Sequence, residues 1–403
     1  MEAKMTRQHS DEKRHLSLMG RIKNKFRYLD LWLLIPIIAI MIFGDAMVYT
    51  SSTNMAIGSA SSFLIKQAVF GFMSLIIMLF IFTLKINWQS KFVIRTILGI
   101  NVILLISLAY ALLFGQVTSG AKGWIYIGSF GIQPVEYFKI SMILYIAHRF
   151  SRKKPDKNGW FPKIKMQDLF IPFLGMTMDF LMPDFGGIVI LLLIFLIVLM
   201  MAGVRMRSLL VLMAGVLAIY IAIPFSLPLL EKLPFFQYQI ARFEAYVNPW
   251  VAGDSGHQLI NSYYAISNGG LFGRGLGNSI QKTGYLPEPN TDFIMAIVGE
   301  ELGAITICIV LIVFAVIICR LIIMGIRAHR MQQRLVLYGI ATYVVVQILI
   351  NLGGVVGILP ITGVTFPMVS YGGSSLLSWG ITFGVALNII GQIKYETELE
   401  EVD

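Results

Sequence analysis

Three carboxylates stand where an apolar segment begins. The stretch Leu286–Gly303, LPEPNTDFIMAIVGEELG, leads into ICIVLIVFAVIIC, yet it carries Asp292, Glu300 and Glu301. An ionisable group in a membrane-length segment is costly and marks a functional site by default. Asp292 falls where a polar loop becomes a hydrophobic helix, at the water boundary. A carboxylate there can stay ionised, meet a hydrophilic substrate and be held rigidly. Those are the requirements of a general base or a cation ligand.

Other candidates lie elsewhere in the chain. Glu136 and Lys139, in QPVEYFKI, are three apart and share a helix face. They read either as a structural ion pair near the membrane surface or as a pair that positions a polar headgroup or tunes a nearby carboxylate. Asp184, in MPDFGG, sits at an expected helix break. It is a helix cap or a ligand group on a broken helix. Lys122, Arg242, Arg274 and Lys282 are cations that could hold a phosphate or pyrophosphate, whereas Lys66 in FLIKQAVF is expected to snorkel to the surface. Trp124, Trp250, Tyr246 and Tyr285 could stack on a sugar or anchor the membrane interface. GRGLG reads as a glycine-permitted turn or an anion nest. His257 has no partners at metal-ligand spacing, and Cys308 and Cys319, about 16 Å apart on one helix, cannot pair.

The elements that must position these residues are membrane helices. Charged residues make up 13% of the chain against 57% hydrophobic, roughly half the charge of a soluble domain. Ten apolar stretches approach spanning length: Leu29–Tyr49, Phe63–Leu84, Phe92–Phe114, Val135–Phe150, Gln167–Leu181, Ile188–Val204, Ser208–Phe225, Asp292–Ile318, Leu335–Leu359 and Leu376–Gln392. The expected fold is all-α and polytopic, with no strand pattern and no nucleotide-binding motif. One membrane domain occupies 29–392, between a basic tail at 1–28 and an acidic tail at 393–403.

With the amino terminus cytoplasmic, inner segments hold 25 of the 32 Lys and Arg, which orients the chain with both termini inside. The net charge of +10 thus expresses topology and attraction to anionic lipids, and calls for no nucleic-acid partner. The long loop 226–291, between spans seven and eight, is then extracellular. Loops 115–134 and 358–375 share its face. Their glycine and proline content predicts irregular backbone around a common outward-facing site.

Taken together, these motifs resemble the SEDS (FtsW/RodA/SpoVE) family of shape, elongation, division and sporulation proteins. The resemblance runs from the first span to the tenth, through GAKGWIYIG with IQPVEYFK, PDFGG, VNPW, GHQ with GGLFGRGLGNS, QKTGYLPEPNTDFIMAIVGEELG and NLGGVVGILPITGVTFPMVSYGGSS. It implies a ten-helix glycosyltransferase of the bacterial cell membrane that polymerises lipid II, beside a class B penicillin-binding transpeptidase and other divisome membrane proteins. The family's essential aspartate matches Asp292. The Glu and Lys of its QPSExxK motif match Glu136 and Lys139, and the Asp of QPDxG matches Asp184. Val135 and Met182 depart from that pattern without removing a charge. GDAMVYTSS and GHQLINSYYAISNGG are closer to the division members than to the elongation members, which points to septal synthesis. The alternatives are an elongation-type polymerase of the same chemistry, a lipid II flippase, or a non-catalytic scaffold.

The implied chemistry is an inverting transfer. Asp292 takes the proton of an acceptor hydroxyl by analogy with inverting glycosidases, and undecaprenyl pyrophosphate leaves. Lys122, Arg242, Lys282, Lys66 and the supporting Glu300 belong to this reading. No cofactor is required by it, though a divalent cation, Mg or Mn, would also suit the leaving group. At a helix start the macrodipole is expected to lower the pKa of Asp292. The glycines of NLGGVVG offer a close-packing face to the partner's helix or to a neighbouring span.

Overall fold

The computed structural model describes residues 25–53, 59–118, 121–128, 130–153, 165–203, 210, 214 and 237–401. Long apolar runs make the first helices, the first of them continuing through Pro36, and polar residues start them. Asp30 caps α1 (Leu31–Ser51), Ser59 caps α2 (Ala60–Thr83) and Ser90 caps α3 (Lys91–Phe114), each accepting a backbone N–H of the first turn. Then come α4 (Pro134–Phe150), α5 (Met166–Leu181) and α6 (Phe185–Met201). The seventh expected span, 208–225, lies almost wholly outside the described residues. The long loop contributes two helices, α7 (Gln237–Val247) and α8 (Gly253–Gly269). Three long helices close the chain: α9 (Ile294–Arg327), α10 (Met331–Val355) and α11 (Gly373–Glu400). The last of these continues through most of the acidic tail.

Among the described residues six helices, α1, α2, α3, α9, α10 and α11, are long and apolar enough to cross a membrane. Their burial sorts them. Ile65, Phe72 and Phe80 of α2, Ile103, Ile106 and Leu113 of α3, and Ile309 and Ile312 of α9 are exposed. That is the inverted pattern expected of helices facing lipid. α10 and α11 are buried along most of their length, with Tyr343 stacked on Trp379 at 4.3 Å between ring centroids. Hydrogen bonds tie α11 to α2: Ser74 Oγ donates to Leu376 O at 2.8 Å, and Asn388 Nδ2 donates to Ile81 O and Leu84 O. Small and polar residues are what hold helices together where neighbouring lipid is as apolar as the core.

The all-α expectation needs one correction. Three short strands, β1 (Gln116–Thr118), β2 (Ala121–Ile127) and β3 (Phe130–Ile132), form an antiparallel sheet in the order β1-β2-β3. The glycines of SGAKGWIYIGSFG suggest irregular loop, but Trp124–Ile127 are aromatic and β-branched and suit a pleated ribbon.

α9 is two helices in one. Gly303 has φ +80 and ψ 174, a conformation open to glycine alone, and it breaks the helix after Leu302. The freed carbonyls of Glu300 and Glu301 accept from the N–H groups of Arg274 and Gly275, while Ala304 and Ile305 donate to Gly270 O and Leu271 O. The GRGLG turn is therefore a splice into a broken helix, and two of its N–H groups are consumed there instead of forming an anion nest. Glu300 and Glu301 lie on the short buried segment before the break, not within the spanning part.

One end of the bundle is closed by ion pairs. Asp30, fully buried, meets Arg320 at 2.5 Å and Lys394 at 2.8 Å, with Arg27–Glu398 and Arg330–Glu396 alongside. These bring the start of α1, the last turns of α9 and the end of α11 to the same end.

Candidate active site

Asp292 lies in a turn just ahead of α9, half-buried in a cleft lined also by Asn351, Gly354, Thr362, Gly363 and Val364. The backbone beneath it is clamped on both sides. Asn351 Nδ2 donates to Asp292 O at 2.8 Å and to Val364 O at 2.7 Å. Ser370 Oγ donates to Thr291 O at 2.6 Å, and Tyr371 N to Asn290 O at 2.8 Å. Gln347 Nε2 holds Thr365 O at 2.9 Å. The irregular stretch 360–371 is thus laid against 290–293, with the Val364 and Thr365 carbonyls met by side-chain amides, the kind of partner backbone at membrane depth needs.

Arg242 of α7 reaches the same place. Its Nη1 and Nη2 lie 3.2 and 3.3 Å from the point a Cβ on Gly363 would occupy, and Asp292 Oδ2 lies 3.4 Å from it. Gly363, at φ +77, leaves the cation and the carboxylate facing one gap that a side chain would fill. Burial pushes the Asp292 carboxyl up to about 6, aided by Glu288 and Asp184 and opposed by Arg242. The depression expected from the helix start is overturned: desolvation outweighs the dipole and the guanidinium.

A second cluster forms the neighbouring wall. Lys139 Nζ meets Glu136 Oε1 at 2.7 Å with both side chains buried. Tyr343 Oη donates to Glu136 Oε2 at 3.1 Å, and Lys139 lies over the Tyr343 ring at 5.4 Å. Asp184 caps α6 by accepting Gly187 N–H at 2.9 Å. Burial also raises Asp184, with the Gly187 N–H, Lys139 and Arg242 opposing. At Gly186 a Cβ would lie 2.3 Å from Val364 Cγ2 and 3.0 Å from Thr362 Cβ. The first turn of α6 therefore abuts the wall of the Asp292 cleft. Asp292, Arg242, Asp184, Glu136 and Lys139 belong to one polar basin.

The remaining sequence candidates fall elsewhere. Lys282 is no surface cation: its side chain is 2% exposed and paired to Glu301 at 2.6 Å. Glu300 accepts from Ser279 Oγ, from the N–H groups of Ile280 and Gln281 at 3.2 and 3.1 Å, and from Asn268. Both carboxylates anchor the 279–283 turn. Lys66 is exposed on α2. Lys122, on β2, hydrogen-bonds Leu113 O at 3.4 Å, while its own N–H donates to Met182 O at 3.3 Å, beside Pro183 and Asp184. Among the described residues no three His, Cys, Asp or Glu side chains converge to cage a metal. Sequence reasoning passed over Asn351, Gln347 and Tyr343, although the four-residue spacing puts all three on one face of an apolar helix.

Gly353 and Gly354 are buried, and a Cβ on Gly357 would strike Tyr263 Oη. The glycines of α10 therefore pack inward and offer no lipid-facing dock. A Cβ on Gly354 would meet Ile361 Cα at 3.6 Å and Pro360 O at 3.7 Å, ordinary contacts. Gly354→Ala should keep both fold and activity. Gly354→Leu, projecting into the cleft, should lower turnover about 100-fold by displacing substrate with little change in melting temperature. Turnover assays beside thermal unfolding check this; a fully active leucine variant would mean the cleft is not the substrate's path.

Fold and site together define a helical membrane protein with a buried, cation-flanked carboxylate basin. The family described as "Cell cycle protein", whose model takes in FtsW, RodA and SpoVE, matches residues 30–395. The chain belongs to this family. It is 38% identical to "Probable peptidoglycan glycosyltransferase FtsW" of Lactococcus lactis, over 91% of this chain and 93% of that one. It is 36% identical to the protein of the same description in Bacillus subtilis, over 93% of each, and 33% identical to the "Stage V sporulation protein E" of that organism, over 91% and 98%. Two solved structures share the fold. One, from work described as "Structural coordination of polymerization and crosslinking by a peptidoglycan synthase complex", aligns with a TM-score of 0.71 at 24% identity, over 91% of this chain and 98% of that one. The Thermus thermophilus rod shape determining protein RodA aligns with a TM-score of 0.65 at 23% identity and the same coverage.

Proposed function

We propose that this chain is a peptidoglycan glycosyltransferase that polymerises lipid II during septal wall synthesis. The observation that carries the reading is a carboxylate, Asp292, raised to about 6 and facing Arg242 across one small gap. A group with that pKa is ionised at neutral pH yet basic enough to draw a proton. The acceptor hydroxyl attacks the anomeric carbon, its proton passes to Asp292 Oδ2, and the bond to undecaprenyl pyrophosphate breaks with inversion. Arg242 meets the charge that develops on the departing phosphate. Family membership and relatives described as FtsW support the reaction and the division role.

Ten spans with both termini cytoplasmic fit the positive-inside count and the meeting of α1 and α11 at the Asp30 end. The partner we infer is a class B penicillin-binding protein, since a fold neighbour comes from a complex that couples polymerization to crosslinking. Its membrane helix would pack on a lipid-facing stripe, and its ectodomain on loop 226–291. The purified chain with its cognate transpeptidase should convert labelled lipid II into glycan polymer, read as a ladder on a gel. No polymer from an intact complex would overturn the reading. Transfer of lipid II across vesicles without polymer would favour a flippase.

A further inference from the structure

Three successive carbonyls ahead of α9 lie outside its helix ladder. That ladder opens at Phe293 O, which accepts from the N–H groups of Ala296 and Ile297. Asn290 O, Thr291 O and Asp292 O are held from elsewhere, by Tyr371 N, Ser370 Oγ and Asn351 Nδ2. The carbonyl of Asp292 itself therefore depends on one side chain of α10.

Asn351 is 3% exposed and lines the Asp292 cleft. Its Nδ2 donates twice, to Asp292 O at 2.8 Å and to Val364 O at 2.7 Å. Carbonyls only accept, so both amide hydrogens are committed and the orientation of the amide is settled. Oδ1 is left buried and without a partner. A buried acceptor left unmet is costly, so the amide serves here through its two donors. Gln347, one turn earlier, repeats the arrangement with a difference: its donor goes to Thr365 O alone, and its Oε1 is likewise buried and unmet.

The carbonyls that Asn351 joins belong to the two sides of the site. Asp292 carries the carboxylate. Val364 follows Gly363, whose missing Cβ marks the gap between Asp292 Oδ2 and the guanidinium of Arg242. One amide thus sets the stretch bearing the carboxylate against the stretch that borders the cation. We propose that Asn351 is the positioning residue for Asp292, holding its carboxylate at the Gly363 gap and acting on the transfer through Asp292 alone. This rests on the glycosyltransferase reading with Asp292 as base. A misplacement of about 1 Å in such a group costs about 100-fold in rate.

The test is a double-mutant cycle on lipid II polymerisation by the full chain with its transpeptidase. Asn351→Leu should lower kcat about 100-fold and leave KM within about threefold. In the Asp292→Asn background the same change should lower the residual rate less than about threefold, because residues that act as a unit are not additive. Gln347→Leu, which frees Thr365 O without touching Asp292, should cost the same factor in both backgrounds. Asn351→Ser, whose smaller side chain leaves room for a water on the two carbonyls, repeats the cycle should the leucine variant not fold. Hydrogen exchange at 290–296 and 362–366 should rise in the Asn351 variants, a readout independent of activity. An undiminished fall in the Asp292→Asn background overturns the proposal and leaves the glycosyltransferase reading standing. So does a wild-type kcat, a raised KM alone, or a Gln347 effect that also vanishes there, which would belong to the whole 360–371 stretch. Raised exchange in the variants of a chain that makes no polymer would sink the reading and keep the placement of Asp292 by Asn351.

Discussion

Asp292→Asn is expected to lower polymerisation by about 10²–10⁴-fold, the usual contribution of a positioned general base, while the protein still folds. The amide keeps the shape of the carboxylate and loses only its basicity. The pH dependence gives a second, sharper reading. Burial, Glu288 and Asp184 raise the Asp292 carboxyl to about 6 against the opposing pull of Arg242. Wild-type activity should be level above that value and fall about tenfold per unit as pH drops below it, as for any single required base.

The linked effect on stability has the opposite sign. A carboxylate whose folded pKa lies above its unfolded value costs stability when ionised, and the cost is relieved as pH falls through about 6 towards the ordinary value near 4. Asp292→Asn should therefore melt no lower than the wild type at pH 7.5, where the native carboxylate is charged. Initial rates across pH 5–8, with melting curves at both ends, check both halves. Wild-type polymer from the asparagine variant would remove Asp292 from the chemistry, and loss of activity with loss of fold would make it structural.

The charged half of this site was legible in the sequence because charge in an apolar chain stands out. Asp292, Glu136, Lys139, Asp184 and Arg242 come together in one basin. Lys282 and Glu301 looked equally promising, and sequence gave no means of seeing that they face each other. Their partners are nineteen residues apart, across a turn whose path depends on the break at Gly303. The uncharged half was harder to see. Asn351, Gln347 and Tyr343 are ordinary residues singly, and only their four-residue spacing marks a polar stripe on α10. The sheet at 116–132 was missed because glycine density was weighed above the aromatic and β-branched run it brackets. Spanning helices, by contrast, are written in long apolar runs that no local choice can override.

The pair Glu136–Lys139 should give a large stability effect. Each side chain is nearly inaccessible, and the hydrogen bond between them is 2.7 Å long. Lys139→Met leaves Glu136 buried with the Tyr343 hydroxyl as its remaining side-chain partner, and Glu136→Gln leaves the ammonium over the Tyr343 ring without its hydrogen-bonded anion, with Asp184 acting on it only at longer range. Breaking a buried pair from either side costs about 3–5 kcal/mol, whereas replacing both members removes the uncompensated charge. The double variant Glu136→Gln with Lys139→Met should therefore melt above either single one, and the coupling from a double-mutant cycle should be about 2 kcal/mol or more. Additive losses would show that the two charges do not depend on each other. Activity then separates scaffold from chemistry. If the double variant recovers both stability and polymerisation, the pair only holds α4 against α10. If it recovers stability alone, the pair is also needed where substrate enters, because Lys139, with Arg242, is a cation acting on Asp184 and its loss would make the basin more negative at the place a pyrophosphate must bind.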